Sequence, residues 1–89
     1  MITEETLKRS AEALETELNY AAKNSEEARE LISQLEPFIS EAKAVVSITD
    51  FGFRRLRFDR PFIEGPLAEN HGLSNAYAKF ANQFEGLEV

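Results

Sequence analysis

An apolar stripe with alternating spacings of three and four residues runs through the first half of this 89-residue chain. Twelve positions between residues 7 and 46 follow the spacing, and eleven are apolar, whereas an overall apolar content of 43% would give about five. A 3.5-residue repeat kept over this length is typical of a helix that turns one face towards another helix. The sequence therefore predicts a mainly α-helical protein. The stripe consists of Leu7, Ala11, Leu14, Leu18, Ala21, Ser25, Ala28, Ile32, Leu35, Ile39, Ala42 and Val46.

Two arrangements of residues 3–47 fit this stripe. The first is one long N-terminal helix over residues 3–46 with a coiled-coil-like seam, capped by Thr3 and kinked or broken near Pro37. The second is an αα-hairpin of residues 3–23 and 25–47, because Asn24 can end a helix and Ser25 can cap the next. We favour the long helix, because the stripe keeps its phase across the junction and the junction contains neither Gly nor Pro.

A single helix over residues 3–46 has a consequence for assembly. It would be about 66 Å long at ~1.5 Å per residue, whereas a compact chain of this size has a radius of gyration of about 12 Å. The rest of the chain cannot cover such a rod, so we expect self-association, with a dimer favoured and helix polarity open. The predicted oligomer interface comprises Leu7, Ala11, Leu14, Leu18, Ala21, Ala28, Ile32, Leu35 and Ile39.

The second half of the chain has a different pattern. β-branched and aromatic residues around the turn-forming Asp50-Phe51-Gly52 predict a short β-hairpin at about residues 45–58. An apolar face followed by Gly86 predicts a C-terminal amphipathic helix at about residues 73–85. We expect this helix to cover the stripe beyond Leu31, where a third apolar column widens it. The whole is predicted as one small domain, 1–89, with a helical oligomerisation region at 3–46 and a small head at 47–89.

Charge and composition narrow the range of function classes. The formal net charge is −6, which disfavours binding to nucleic acid or anionic membranes unless positive charge is locally concentrated. The chain has no Cys, no signal-peptide pattern at its start and no apolar run long enough for a membrane span. We therefore expect a cytoplasmic protein without a membrane partner.

Catalytic, cofactor and metal sites are not expected. His71 is the only His, and a metal site needs several ligands at fixed spacing. Asp50-Phe51-Gly52 matches a protein-kinase tripeptide by letters alone, without the other kinase motifs, and is interpreted as a turn. The sequence contains no phosphate-binding glycine loop and no nucleophile elbow. We predict that the protein is not an enzyme.

The strongest local functional pattern is a cluster of Arg and Phe, a composition typical of interface anchors. Four of the ten basic residues lie within residues 54–60. We expect this cluster to bind a protein partner that the chain inhibits or scaffolds, by compositional analogy with accessory proteins of mobile genetic elements. The alternative is that this cluster has only a structural role, in which the aromatics fill the core and the arginines pair with acidic helices. The predicted partner-binding residues are Phe51, Phe53, Arg54, Arg55, Arg57, Phe58 and Arg60.

Two alternative functions are kept. In the first, the same arginines contact the phosphates of a nucleic acid. In the second, the protein is an acidic mimic of DNA, in which Glu12, Glu15 and Glu17 on the N-terminal helix occupy the DNA-binding cleft of a partner. Neutralising those three acids would then weaken the complex.

Overall fold

The computed structural model describes residues 2–56 and 69–86. This part of the chain is mainly helical, as predicted, with α1 at Glu4–Ala22, α2 at Glu26–Lys43 and α3 at His71–Glu85. A 3-10 turn, Ile48–Asp50, follows α2. Helices α1 and α2 form an antiparallel hairpin, and α3 packs along α1.

The prediction of one long helix over residues 3–46 is wrong, and the hairpin alternative is correct. Helix α1 ends at Ala22, and Ser25 begins α2 by accepting a hydrogen bond from the backbone N–H of Ala28 at 3.2 Å. The Nε of Arg29 donates to the carbonyl oxygen of Ala22 at 2.8 Å, which satisfies a free carbonyl at the end of α1. The phase of the stripe could not exclude this break, because two antiparallel helices that face each other each need the same spacing.

Other termini follow the sequence closely. Thr3 caps α1, and Thr6 completes a capping box with it. Gly86 ends α3 in the left-handed conformation with φ 81°. The C-terminal helix is confirmed, although Asn70 caps it and it starts at His71 rather than near residue 73. Helix α2 continues through Pro37, so the predicted break of the helix there is wrong, whereas a kink at this residue stays a prediction.

The apolar stripe is buried within one chain. Seven of the nine residues predicted for an oligomer interface are at most 3% exposed, and Ala21 and Ile32 are partly buried against the same core. Helix α3 adds the predicted aromatic-rich apolar face to this core, but it packs mainly along α1 rather than over the stripe beyond Leu31. The core residues of α3 are Leu73, Ala76, Tyr77, Phe80, Ala81 and Phe84.

Helix α3 runs antiparallel to α1 and is fixed at both ends. The hydroxyl of Thr6 donates to Oε1 of Gln83 at 2.8 Å near the start of α1. At the other end, a Cβ placed on Gly72 would lie 3.2 Å from Oε2 of Glu17. The Glu17 carboxylate therefore lies beside the first turn of α3, where a negative charge is favourable for the helix dipole. The contact of α3 with α2 includes the edge-to-face pair Phe38 and Phe84, whose ring centroids are 5.7 Å apart.

We call residues 45–56, which cross the end of the helices, the strap. The predicted β-hairpin at about 45–58 is not supported: the strap contains no strand, and residues 57–58 lie outside the described residues. Two of its backbone donors pair with α3 instead, and the first is the N–H of Arg54, which bonds to the carbonyl oxygen of Phe84 at 3.3 Å. The N–H of Leu56 likewise bonds to the Glu85 carboxylate at 3.4 Å. Burial of Val45 and Leu56 against helices outweighs the β propensity of the segment.

The dimensions of the molecule match a folded hairpin rather than a rod. The radius of gyration is 12.4 Å and the longest axis is 37 Å, close to the ~12 Å expected for a compact chain of this length. The apolar stripe therefore needs no second subunit to cover it.

Candidate interaction site

The predicted oligomer seam is not a surface of the folded chain. Leu7, Ala11, Leu14, Ala28 and Leu35 are fully buried between helices of the same molecule. Association through these side chains would require the hairpin to open. Self-association itself stays a prediction, but it needs another surface.

Arg54 has a structural role in the described part of the chain. Its guanidinium lies over the rings of Phe84 and Phe38, 4.7 and 5.6 Å from their centroids, and forms an ion pair with Glu41 of α2. It also donates to the carbonyl oxygen of Gly52 at 2.9 Å. Arg54 thus connects the strap to α2 and α3 by cation–π contacts, an ion pair and a turn-closing hydrogen bond.

The electrostatics of Arg54 keep these contacts in place. The hydrogen bond to Glu41 raises the pKa of Arg54 above its ordinary value, against the lowering effect of partial burial and with a further rise from the Glu41 charge. The guanidinium therefore remains charged throughout the pH range of folded proteins. Because both side chains are more than 40% exposed, solvent screens the ion pair and it contributes little to stability on its own.

The predicted aromatic anchors are divided between core and surface. Phe51 packs edge-to-face on Phe84, with ring centroids 5.3 Å apart, and on Phe53 at 5.2 Å. Phe53 remains 40% exposed. Three other predicted partner-binding residues, Arg57, Phe58 and Arg60, lie outside the described residues. For Phe51 and Arg54, the geometry agrees with the interpretation in which aromatics fill the core and arginines pair with acidic helices.

Val46 is the most exposed large apolar side chain of the described residues, at 92%. Val46 is the last position of the apolar stripe and was predicted to face the helix seam. In the structure it follows the end of α2 and points away from the core. It lines a groove of about 360 Å³ that is open to solvent, between the last turn of α2 and the strap. The groove is lined by Glu41, Ala44, Val45, Val46, Ser47, Asp50, Phe51 and Gly52.

Two opposite charges on the strap have no ion pair in the described structure. Asp50 lines the groove and is exposed, and Arg55 is exposed five residues further along the chain. The other charged residue of the strap, Arg54, pairs with Glu41. We call four exposed side chains of the strap, Val46, Asp50, Phe53 and Arg55, the strap surface; Val46 and Asp50 line the groove, and Phe53 and Arg55 follow further along the strap. Phe53 and Arg55 were among the partner-binding residues predicted from the sequence, but Val46 and Asp50 were not. The exposure of Val46 could not be predicted because it depends on where α2 ends.

The acids named for DNA mimicry are mostly engaged within the molecule. Glu15 forms an ion pair with Lys43 of α2, with 2.9 Å between Oε1 and Nζ. Glu17 lies against the first turn of α3. Glu12 alone of the three is exposed without such a contact. The geometry therefore gives no continuous row of free carboxylates at these positions.

The nucleic-acid alternative depends on Arg54, Arg55, Arg57 and Arg60 as phosphate contacts. Of the four arginines in the cluster, Arg54 is committed to Glu41 and two lie outside the described residues. Arg55 is exposed and available. No feature of the described structure adds a second free cation beside it on the strap.

Metal-ligating side chains do not cluster in residues 2–56 and 69–86, where no group of three or more His, Cys, Asp or Glu could hold an ion. His71 is the exposed first residue of α3.

None of the helices in residues 2–56 and 69–86 is long and apolar enough to cross a membrane. A smaller groove of about 130 Å³ lies between α1 and α2, lined by Glu15, Leu18, Asn19, Ile32, Glu36 and Ile39.

Comparisons of the chain with protein-family models, with curated proteins and with solved structures each gave no match.

Proposed function

We propose that this protein is a non-catalytic protein–protein interaction module that binds a protein partner through its strap surface and inhibits or scaffolds that partner. The observation that carries the proposal is the 92% exposure of Val46 beside a partly apolar groove. An apolar side chain so exposed is commonplace when it stands alone. Here it adjoins a groove whose lining includes Ala44, Val45 and Phe51.

The composition of the strap surface supports this choice of site. Protein interfaces are enriched in aromatic residues and Arg and place an apolar centre inside a polar rim. Val46 and Phe53 supply the apolar part, and Asp50 and Arg55 supply charges that have no partner in the described structure. The helices behind the strap hold it in place through Arg54, so the surface is presented on a packed support.

A site-specific crosslinking experiment tests the proposal. The photoreactive residue p-benzoylphenylalanine is placed at position 46 of the full chain and, as a matched control, at position 33, where Ser33 is exposed on α2. Both proteins are irradiated in a lysate of the source cells. We expect position 46, but not position 33, to give a discrete crosslinked protein. Absence of any product specific to position 46 would overturn the proposal.

A further inference from the structure

We propose that the strap surface binds the strap surface of a second copy of this chain, in a two-fold symmetric dimer. This inference rests on the proposed function and names the partner of the same site. In a two-fold interface the same patch is used on both sides, so the patch must be complementary to itself. The strap surface carries the features that such pairing needs: both charge signs, and an exposed apolar side chain beside a partly apolar groove.

The charges of the strap provide the first argument. Asp50 and Arg55 are exposed, opposite in sign and without an ion pair in the described structure, although they lie only five residues apart. When two straps approach about a two-fold axis, Asp50 of each copy faces Arg55 of the other. Two charge-assisted contacts then form by one symmetry operation. A partner with a single charge sign on its surface would leave one of these two residues unmatched.

The apolar residues provide the second argument. Val46 projects beside a groove lined by Ala44, Val45 and Phe51 of the same copy. A two-fold arrangement places Val46 of each copy over the groove of the other, so that each copy gives one aliphatic side chain and receives one. Ala44 is small, which leaves the groove open at the end of α2. Removal of both Val46 side chains from water supplies the main driving force.

The same geometry limits the strength of the dimer. The strap surface comprises four side chains of one short segment, whereas a standard stable interface uses about 20–30 residues on each side. We therefore expect a dissociation constant weaker than about 1 µM, because such small interfaces retain little free energy after the loss of translational and rotational freedom. The dimer should thus be sought at protein concentrations from about 10 µM to about 1 mM by sedimentation equilibrium.

The first variant pair tests the apolar contact. Val46→Asp should raise the dissociation constant at least about 100-fold, because one buried aliphatic side chain is lost from each copy. Ser33→Asp adds the same charge on the exposed face of α2 and should leave the dissociation constant within a factor of about two, after allowance for screened long-range repulsion. Since Val46 lies outside the core, circular dichroism should show both variants fully folded. A folded Val46→Asp protein that dimerises like the wild type would overturn the proposal.

The second variant pair tests the charge contact and does not depend on Val46. Asp50→Arg leaves two arginines and no acid on each strap surface, and Arg55→Asp leaves two aspartates and no base, so each variant alone should associate more weakly than the wild type. An equimolar mixture should recover association, because each Arg of one variant then meets an Asp of the other. Recovery in the mixture supports an intermolecular contact. Two variants that behave like the wild type, or a mixture no stronger than its components, would contradict it.

The outcome for the dimer is separable from the outcome for the proposed function. A wild-type chain that stays monomeric up to about 1 mM overturns the pairing of two copies. If position 46 then still crosslinks to a different protein, the interaction module stands with another partner. A crosslinked product at twice the 10.1 kDa mass of the chain supports the dimer. If position 46 gives no crosslinked product, either with this chain or with another protein, both the dimer and the proposed function are overturned.

Discussion

The left-handed conformation of Gly86 makes it the most restrictive single residue in the described structure. Its φ is 81°, and a Cβ built there would lie 3.1 Å from Cγ of Phe53. A side chain in this region costs about 1–2 kcal/mol, and here it would also push the strap away from α3. We expect Gly86→Ala to lower the free energy of unfolding by at least that amount, measured by urea denaturation.

Gly52 offers a matched control for that substitution. A Cβ at Gly52 would meet only Nη1 of Arg54, at 3.9 Å, and its φ is not left-handed. Gly52→Ala should therefore leave stability unchanged or raise it by a few tenths of a kcal/mol, through the smaller conformational freedom of the unfolded chain. Equal effects of the two substitutions would mean that Gly86 is not held in the left-handed conformation.

Ser74 is a second residue whose environment predicts the direction of a stability change on mutation. Its Oγ is buried and has no hydrogen-bond partner in the described structure. A hydroxyl in that position loses its water without compensation, at a cost of about 1–3 kcal/mol. We expect Ser74→Ala to stabilise the protein by about 1 kcal/mol beyond the gain in helix propensity, again by urea denaturation.

The exposed Ser33 of α2 isolates the propensity part of that gain. Ser33→Ala changes the same atoms in a helix without changing a buried hydroxyl. A Ser74→Ala protein no more stable than Ser33→Ala would show that the Ser74 hydroxyl has found a partner such as a bound water.

At the scale of the elements, the end of α1 and the start of α2 decide the fold. The Ser25 hydroxyl caps the start of α2 by accepting a hydrogen bond from the N–H of Ala28. Loss of such a cap costs about 1 kcal/mol. We expect Ser25→Ala to lower the melting temperature by roughly 4–8 °C, the shift that 1 kcal/mol gives in a domain of this size.

Ser40, exposed within α2, is the control for the cap. Ser40→Ala should leave the melting temperature unchanged or raise it slightly, because Ala is the better helix former. A Ser25→Ala protein as stable as Ser40→Ala would indicate that the acidic first turn of α2 and Arg29 hold the hairpin turn without the cap.

The three helices differ from their connections in how well they could be predicted from the sequence. Helix faces and caps could be predicted, because they depend on side-chain spacing and on local hydrogen bonds: the buried face of α3, Thr3 and Gly86 are examples. The break after Ala22 could not be decided by periodicity, because the stripe has the same phase in a rod and in a hairpin. The capping residue Ser25 was the better indicator of the break, and the hydrogen bond from Arg29 to Ala22 is seen only in the structure.

The strap could not be predicted because its conformation depends on what it crosses. Its β-branched and aromatic residues have strand propensity, but no second strand is offered within the described chain. The ends of α3 and α2 provide hydrogen-bond acceptors and an aromatic surface instead, and Arg54 binds to both. The exposure of Val46 follows from this crossing. Of the candidate site, the sequence therefore predicted Phe53 and Arg55 but not Val46 and Asp50.

At the scale of the whole molecule, burial of the seam within one chain changes what its mutation should do. Leu14 is fully buried, so Leu14→Asp would place an unpaired carboxylate in the core. We expect it to cost at least about 3–5 kcal/mol and to abolish most of the helical circular dichroism. Ala13→Asp, on the exposed neighbouring position, should remain folded. A Leu14→Asp protein that is helical, monomeric and as stable as Ala13→Asp would show that the seam faces another molecule after all.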